Sequence, residues 1–184
     1  MEFRNVSKSY GAKKVFSSFS LTIREGRTSV ITGASGIGKT TLMRLLLSLE
    51  KPDSGELEVR GRVSALFQED RLIGNMSVKN NLLLVTDDEP MALSMLEKAG
   101  LEGEWKSRVD TLSGGMKRRV ALIRALLTSF DTMILDEPFT GLDDESKERM
   151  VSLLKEVIAG RTLIVITHDS DEYALLAPCD IIRL

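Results

Sequence analysis

The stretch Gly33-Ala34-Ser35-Gly36-Ile37-Gly38-Lys39-Thr40 constrains this chain more than any other feature. It follows an apolar run, Thr28–Thr32, that reads as a buried strand. It precedes an amphipathic segment, Lys39–Leu49, that reads as a helix stopped by Lys51-Pro52 and the Asp53-Ser54-Gly55 turn. Strand, glycine loop and helix in that order build an anion cradle: glycines let backbone N–H groups turn inward, and the helix N-terminus adds positive potential. The spacing G-x-x-x-x-G-K-[ST] also places Lys39 to meet β- and γ-phosphates and the Thr40 hydroxyl to ligate Mg²⁺. Residues Gly33 through Thr41 are therefore the candidate nucleotide-phosphate site.

The chain around this loop alternates strand and helix. The first thirty residues carry apolar positions (Phe3, Val6, Phe19, Leu21, Ile23) spaced for short antiparallel strands around Gly11 and the Glu25-Gly26 turn. Strands are expected at Glu56–Val59 and Arg62–Phe67, then a helical period from Val78 to Ala99 with Pro90 at a helix N1 position. A helix over Met116–Leu127, strand Met133–Leu135, helix Glu145–Ile158, strand Thr162–Ile166, helix Asp171–Leu176 and strand Ile181–Leu184 complete the order. Such alternation argues for an α/β fold: a core with a mostly parallel sheet, an antiparallel N-terminal β subdomain and a short inserted α-helical subdomain. At 184 residues the chain is expected to form one domain, with 1–68 and 131–184 as the core and about 69–130 as the helical part.

Composition excludes several classes. With 25 Lys+Arg against 27 Asp+Glu the net charge is −2, so a general nucleic-acid-seeking surface is not expected. One cysteine, Cys179, excludes an intrachain disulfide framework. No apolar run approaches the roughly 20 residues of a spanning helix, and the N-terminus carries no leader-like core. Work at a membrane would then mean docking on a partner that crosses it.

Two further motifs carry chemistry. Thr132-Met-Ile-Leu-Asp136-Glu137-Pro138 reads as a strand ending in two carboxylates. Asp136 can hold Mg²⁺, and Glu137 can orient or deprotonate a water. Pro138 stops the strand ladder and keeps both at the sheet's carboxyl edge, where open α/β sheets bind ligands. Leu112-Ser113-Gly114-Gly115-Met116 precedes a helix and offers a second anion site of hydroxyl, free amides and dipole, although it also describes an ordinary Ser-capped helix. One triphosphate rarely needs two such sites in one chain. A head-to-tail dimer, in which each chain's second site covers its partner's nucleotide, resolves the redundancy.

The ordered set of phosphate loop, Gln68, LSGGM, ILDEP, Thr140-Gly141-Leu142-Asp143 and His168 resembles the nucleotide-binding domain of ATP-binding cassette transporters over essentially the whole chain. That resemblance implies an ATPase that binds Mg²⁺ and ATP, works beside a second cassette protomer, more readily as homodimer than heterodimer, and drives a separate transmembrane permease subunit from the cytoplasmic face of the membrane. It implies that Tyr10 stacks on adenine, although a tyrosine beside Gly11 also fits a surface position. Gln68 would contact Mg²⁺ and the lytic water. Ser113, Gly114 and Gly115 would meet the γ-phosphate of the opposite protomer's nucleotide, and Asp143 would link the two sites. The only histidine, His168, would contact the γ-phosphate, leaving Glu137, His168 and Gln68 as the catalytic group and Thr40, Gln68 and Asp136 as metal ligands.

Met116 stands where many members have Gln. LSGGM, FQEDRL (Phe67–Leu72) and THDSDEYALL (Thr167–Leu176) are similar to importer-type cassettes for nitrate, sulfonate and taurine. Leu72, Ile73, Met76 and Val78 are candidates for a groove receiving a membrane-subunit helix, though they also suit a subdomain core. Arg118, Arg119 and Arg124, after the LSGGM signature (Leu112–Met116), are expected on a solvated helix face. The runner-up is a soluble clamp of the same fold acting on DNA or ribosomes, opposed by the lack of a coiled-coil insertion, a second cassette or basic charge.

Overall fold

The computed structural model describes residues 1–184. Strands β1 (Glu2–Tyr10) and β2 (Lys13–Thr22), with β4 (Ser54–Glu58), form an antiparallel sheet in the order β2-β1-β4. The alternation read from sequence holds here, with Phe3 opposite Leu21 and Val6 opposite Phe19. The register is bulged where Asn5 and Ser18 take positive φ (50° and 49°). Neighbouring hydroxyls accept the displaced amides: Asn5 N–H donates to Ser20 Oγ (2.9 Å) and Ser18 N–H to Ser7 Oγ (3.1 Å). Phe16 stacks on Phe19 at 4.7 Å between ring centroids, and Phe3 meets Phe19 edge-on at 5.8 Å.

The second sheet runs β5 (Val63–Leu66), β6 (Thr132–Asp136), β7 (Thr162–Ile166), β3 (Thr28–Thr32) and β8 (Asp180–Arg183), in that spatial order. β3 pairs in parallel with both β7 and β8. All five residues of β7 are buried, as are Ser29, Val30 and Ile31 of β3, the continuous apolar pattern of strands covered on both faces. β3 runs straight into the glycine loop and helix α1 (Lys39–Leu46). The chain divides into two compact units, one of residues 1–63, 130–134 and 160–184, the other of 64–129 and 135–159.

The second unit holds helices α2 (Val78–Leu82), α3 (Glu89–Lys98), α4 (Gly114–Leu126) and α5 (Asp144–Ile158), with short 3₁₀ turns at Glu102–Glu104 and Val109–Thr111. Helix α4 packs against α2, α3 and α5. Val78, Leu82, Leu96, Val120, Leu122, Ile123, Met150 and Leu154 are fully buried there. Helix α6 (Ser170–Leu175) precedes β8 in the first unit.

Several boundaries shift by a residue or two from the sequence expectation, and three differences have a clear local cause. Helix α1 ends at Leu46 rather than Leu49 because Ser48 adopts φ 55°; its amide reaches Leu45 O and that of Leu49 reaches Arg44 O, a Schellman stop. The helical stretch 78–99 is two helices. Asp88 caps α3 through Met91 N–H (2.9 Å), and the Thr86 hydroxyl accepts from Asp88 N–H (3.1 Å), so local hydrogen bonds replace a helical turn just ahead of Pro90. Pro90 is then the second helical residue. Helix α4 starts at Gly114, two residues earlier than read, because Ser113 is its cap.

Candidate functional site

In the first unit the phosphate loop lies at the carboxyl edge of β3. Gly38 is both conformationally and sterically obliged: φ is 122°, and a Cβ there would stand 2.8 Å from Val15 Cγ1 and 3.0 Å from Phe16 Cζ. It caps α1 without any side-chain acceptor, and no acidic residue occupies the first turn, so the opening amides keep their donors and their positive potential. Lys39 Nζ donates to the carbonyls of Gly33 (2.7 Å) and Ala34 (3.1 Å), which holds the ammonium within the loop. Thr40 is exposed, whereas the Thr41 side chain is buried and leaves only its backbone to the site.

His168 belongs to the same edge. It follows β7, the parallel neighbour of β3, and the residue before it, Thr167, donates its N–H to Ile31 O (3.2 Å). The imidazole is exposed, and Asp169 behind it caps α6 through Asp171 N–H (2.9 Å). Tyr10, the last residue of β1, is 41% exposed; its hydroxyl donates to Glu50, and Lys8 Nζ lies 5.5 Å from the ring centroid. That hydrogen bond, with Arg44 and Lys8 beside it, holds the Glu50 carboxyl below its usual range.

The second unit carries Gln68, Asp136, Glu137, Ser113 to Gly115, and Asp143. Gln68 is exposed just beyond β5. Asp136 ends β6, and Glu137 turns the chain with φ 48°, a left-handed conformation costly for a side chain with a Cβ. Ser113 caps α4, its Oγ accepting from Met116 N–H (3.2 Å), while its own O–H remains a donor. A Cβ on Gly114 would meet nothing within 4 Å, whereas one on Gly115 would stand 3.0 Å from Gly141 O. The signature backbone therefore lies close to the 140–143 loop. Asp143 caps α5, accepting from Ser146 N–H (2.8 Å) and Ser146 Oγ (3.1 Å); the Ser146 amide is the main reason its carboxyl titrates below the usual range.

The expectation of a solvated arginine face is overturned. Arg118 is 4% exposed and its guanidinium is saturated by oxygens of two other segments. Arg119 donates to Ala99 O (2.7 Å). Arg124 is half-buried and donates to the carbonyls of Asp70 (3.1 Å) and Arg71 (2.8 Å); burial pulls its pKa down. The signal was present in the helical period, since 118, 121, 122 and 125 share one face of α4 and the last three are buried apolar residues. Of the groove candidates, Val78 is core at 0% exposure and Ile73 is exposed, with Leu72 and Met76 between. A concavity in this unit lies along Phe67, Arg71, Val85, Ala121 and Arg124, with a volume near 280 Å³. Asn81 was also missed: fully buried, it accepts from Ile73 N–H (2.8 Å) and donates to Ile73 O (3.0 Å) and Ser77 O (3.1 Å), which pins the loop after Gln68.

The family described as "ABC transporter" matches residues 16–140. The aliphatic sulfonates import ATP-binding protein SsuB 1 of Nocardia farcinica is 41% identical over 176 residues, covering 92% of this chain and 72% of that protein. The Nod factor export ATP-binding protein I of Burkholderia orbicola is 36% identical over 201 residues, covering 98% of this chain and 66% of that protein. The chain thus spans about two thirds to three quarters of the length of these relatives. Among solved structures, the dimeric post-hydrolysis state of the ATP-binding cassette MJ0796 bound to ADP and Pi superposes with a TM-score of 0.84 at 28% identity, covering 100% of this chain and 93% of that one.

Proposed function

This chain belongs to the ABC transporter family as one of its ATP-hydrolysing subunits, and from that premise we propose that it hydrolyses Mg²⁺-ATP in a head-to-tail pair of cassettes and drives transport through a separate membrane subunit from the cytoplasmic face. The amides of Gly36 to Thr41 and the Lys39 ammonium hold the phosphates, and Tyr10 stacks on the base. Thr40, Gln68 and Asp136 are hard oxygen donors of the kind Mg²⁺ takes, and the ion would supply charge neutralisation across the phosphates. Glu137 orients and polarises water toward the γ-phosphate, His168 holds that phosphate, and Asp143 stands beside the partner's signature. Catalysis of this type is positioning plus electrostatics, with no covalent intermediate needed. The whole chain acts as a single cassette domain.

The observation that carries the reading is the N-terminus of α4. Ser113 caps it with a spare O–H, and Gly114 presents open backbone beside it, which supports a second set of anion donors besides the phosphate loop. A head-to-tail pair, in which each chain's second site covers its partner's nucleotide, accounts for two such sites per chain with one nucleotide per chain. Identity of 41% with a sulfonate importer subunit, against 36% with an exporter subunit, favours an import arrangement. The test is capture with tagged Glu137→Gln protein and ATP from detergent-solubilised membranes, read by mass spectrometry. Recovery of a polytopic membrane protein is expected, whereas recovery of only ribosomal or DNA-repair proteins overturns the transport role in favour of a soluble clamp.

A further inference from the structure

We infer that Arg118 is a positioning residue for hydrolysis, a buried brace that fixes the backbone of Glu137 against that of Gln68; this rests on the proposed role of Glu137 as the group that orients water. The guanidinium has five N–H donors and meets six oxygens. Nη2 donates to the carbonyls of Asp136 (2.5 Å) and Glu137 (2.8 Å), and Nε to Pro138 O (3.2 Å). Nη1 donates to the carbonyls of Phe67 (2.7 Å) and Gln68 (3.1 Å) and to Asp70 Oδ1 (3.0 Å). Only Asp70 balances the charge; the other five contacts are backbone carbonyls at the two places where the proposed chemistry needs its geometry held.

Glu137 supplies the reason for such a brace. At φ 48° it sits in a left-handed conformation, and its carboxylate direction follows from that backbone. Three consecutive carbonyls, 136 to 138, are tied to one planar cation, which limits rotation of the two peptides flanking Glu137. The same plane ties 67 and 68, so the exposed Gln68 and the Glu137 turn share one anchor. That anchor belongs to α4, which is capped by Ser113 and has Gly115 as its second residue. A shift of α4 or of the 67–70 segment is thereby passed to the Glu137 peptide. Lysine could not replace it, because one nitrogen with three N–H groups cannot span two segments as a planar fork does.

The experiment measures ATP turnover and KM of purified chain carrying Arg118→Lys, with Leu96→Ala as a control that loosens the buried core of the same unit away from these contacts. Arg118→Lys should lower kcat about 30-fold while KM for ATP stays within about threefold, because misplacing a reacting group costs rate and not binding. Single-turnover rates of Glu137→Gln and of Glu137→Gln/Arg118→Lys then complete a cycle. With Glu137 already removed, the lysine should cost less than about twofold more, since residues acting as a unit are non-additive. Near-normal kcat in Arg118→Lys overturns the inference. So does a loss matching Leu96→Ala at equal change in Tm, or an undiminished loss in the Glu137→Gln background. Should Arg118→Lys fail to fold, Asp70→Asn removes only the charged partner and should lower kcat about threefold to tenfold with the same non-additivity; an unchanged kcat there overturns the brace. Wild-type turnover in Glu137→Gln alone would instead remove the role of Glu137, a failure separable from that of Arg118.

Discussion

On the proposed mechanism Lys39 and Glu137 act at different stages, and two substitutions separate them. Lys39→Ala removes the one side-chain cation of the phosphate loop, so ATP affinity itself should fall about tenfold or more, measured by calorimetry. Glu137→Gln keeps shape and hydrogen bonding but not basicity; ATP affinity should hold while kcat drops about 10²-fold to 10⁴-fold in a phosphate-release assay. Near-normal turnover there would remove Glu137 as the water-orienting group. Asp143 adds a pH dependence. The Ser146 amide holds its carboxyl below the ordinary value of 3.8. A depressed carboxylate pKa stabilises the fold above the unfolded value, and that stabilisation is lost as pH falls below about 4 through the folded value. Asn caps a helix as well as Asp but does not titrate. Asp143→Asn should therefore match the wild-type Tm at pH 7 and lose less of it between pH 5 and pH 3, read by thermal melts.

At the level of elements, the loop after Gln68 depends on one buried amide. Asn81 on α2 satisfies both the N–H and the C=O of Ile73 as well as Ser77 O. Asn81→Ala leaves those backbone groups unpaired and should cost about 1–3 kcal/mol in urea unfolding, with faster hydrogen exchange at Ile73. An unchanged midpoint would show that water replaces the amide at no cost. Asn81 and Arg118 also mark where sequence reading runs out. The strands Thr28–Thr32 and Thr162–Ile166 were legible to the residue, because burial on both faces requires an unbroken apolar run. The glycine loop was legible because Gly38 admits no other residue. A polar side chain on an apolar helix face is different: its period says that it is buried, but not which oxygens receive it. For Arg118 those oxygens lie 18 to 20 and 48 to 51 residues away in the chain, so the sequence names no partner for its charge, and without one a solvated face is the expectation. The end of α1 failed for a local reason, since nothing about Ser48 announces φ 55° where Gly or Asn is the usual stop.

For the whole molecule, head-to-tail pairing makes a claim that no single-chain experiment reaches: each active site uses the phosphate loop of one copy and the signature of the other. Lys39→Ala disables the first part. Gly114→Asp disables the second by placing a carboxylate at the start of α4, and because a Cβ there meets nothing within 4 Å, the chain itself should fold normally. Each variant alone forms pairs in which both sites are defective. In a mixed pair, however, the intact loop of the Gly114→Asp copy faces the intact signature of the Lys39→Ala copy, so one site of two is whole. Random pairing at equal concentrations makes half of all pairs mixed, and turnover should recover to about a quarter of wild type if sites work independently. A lower recovery, still above both parents, would mean that one site needs its twin. If mixing restores nothing although mixed pairs form, demonstrated by co-elution of differently tagged copies, the signature serves its own chain's nucleotide, and the argument from two anion sites to a shared one fails.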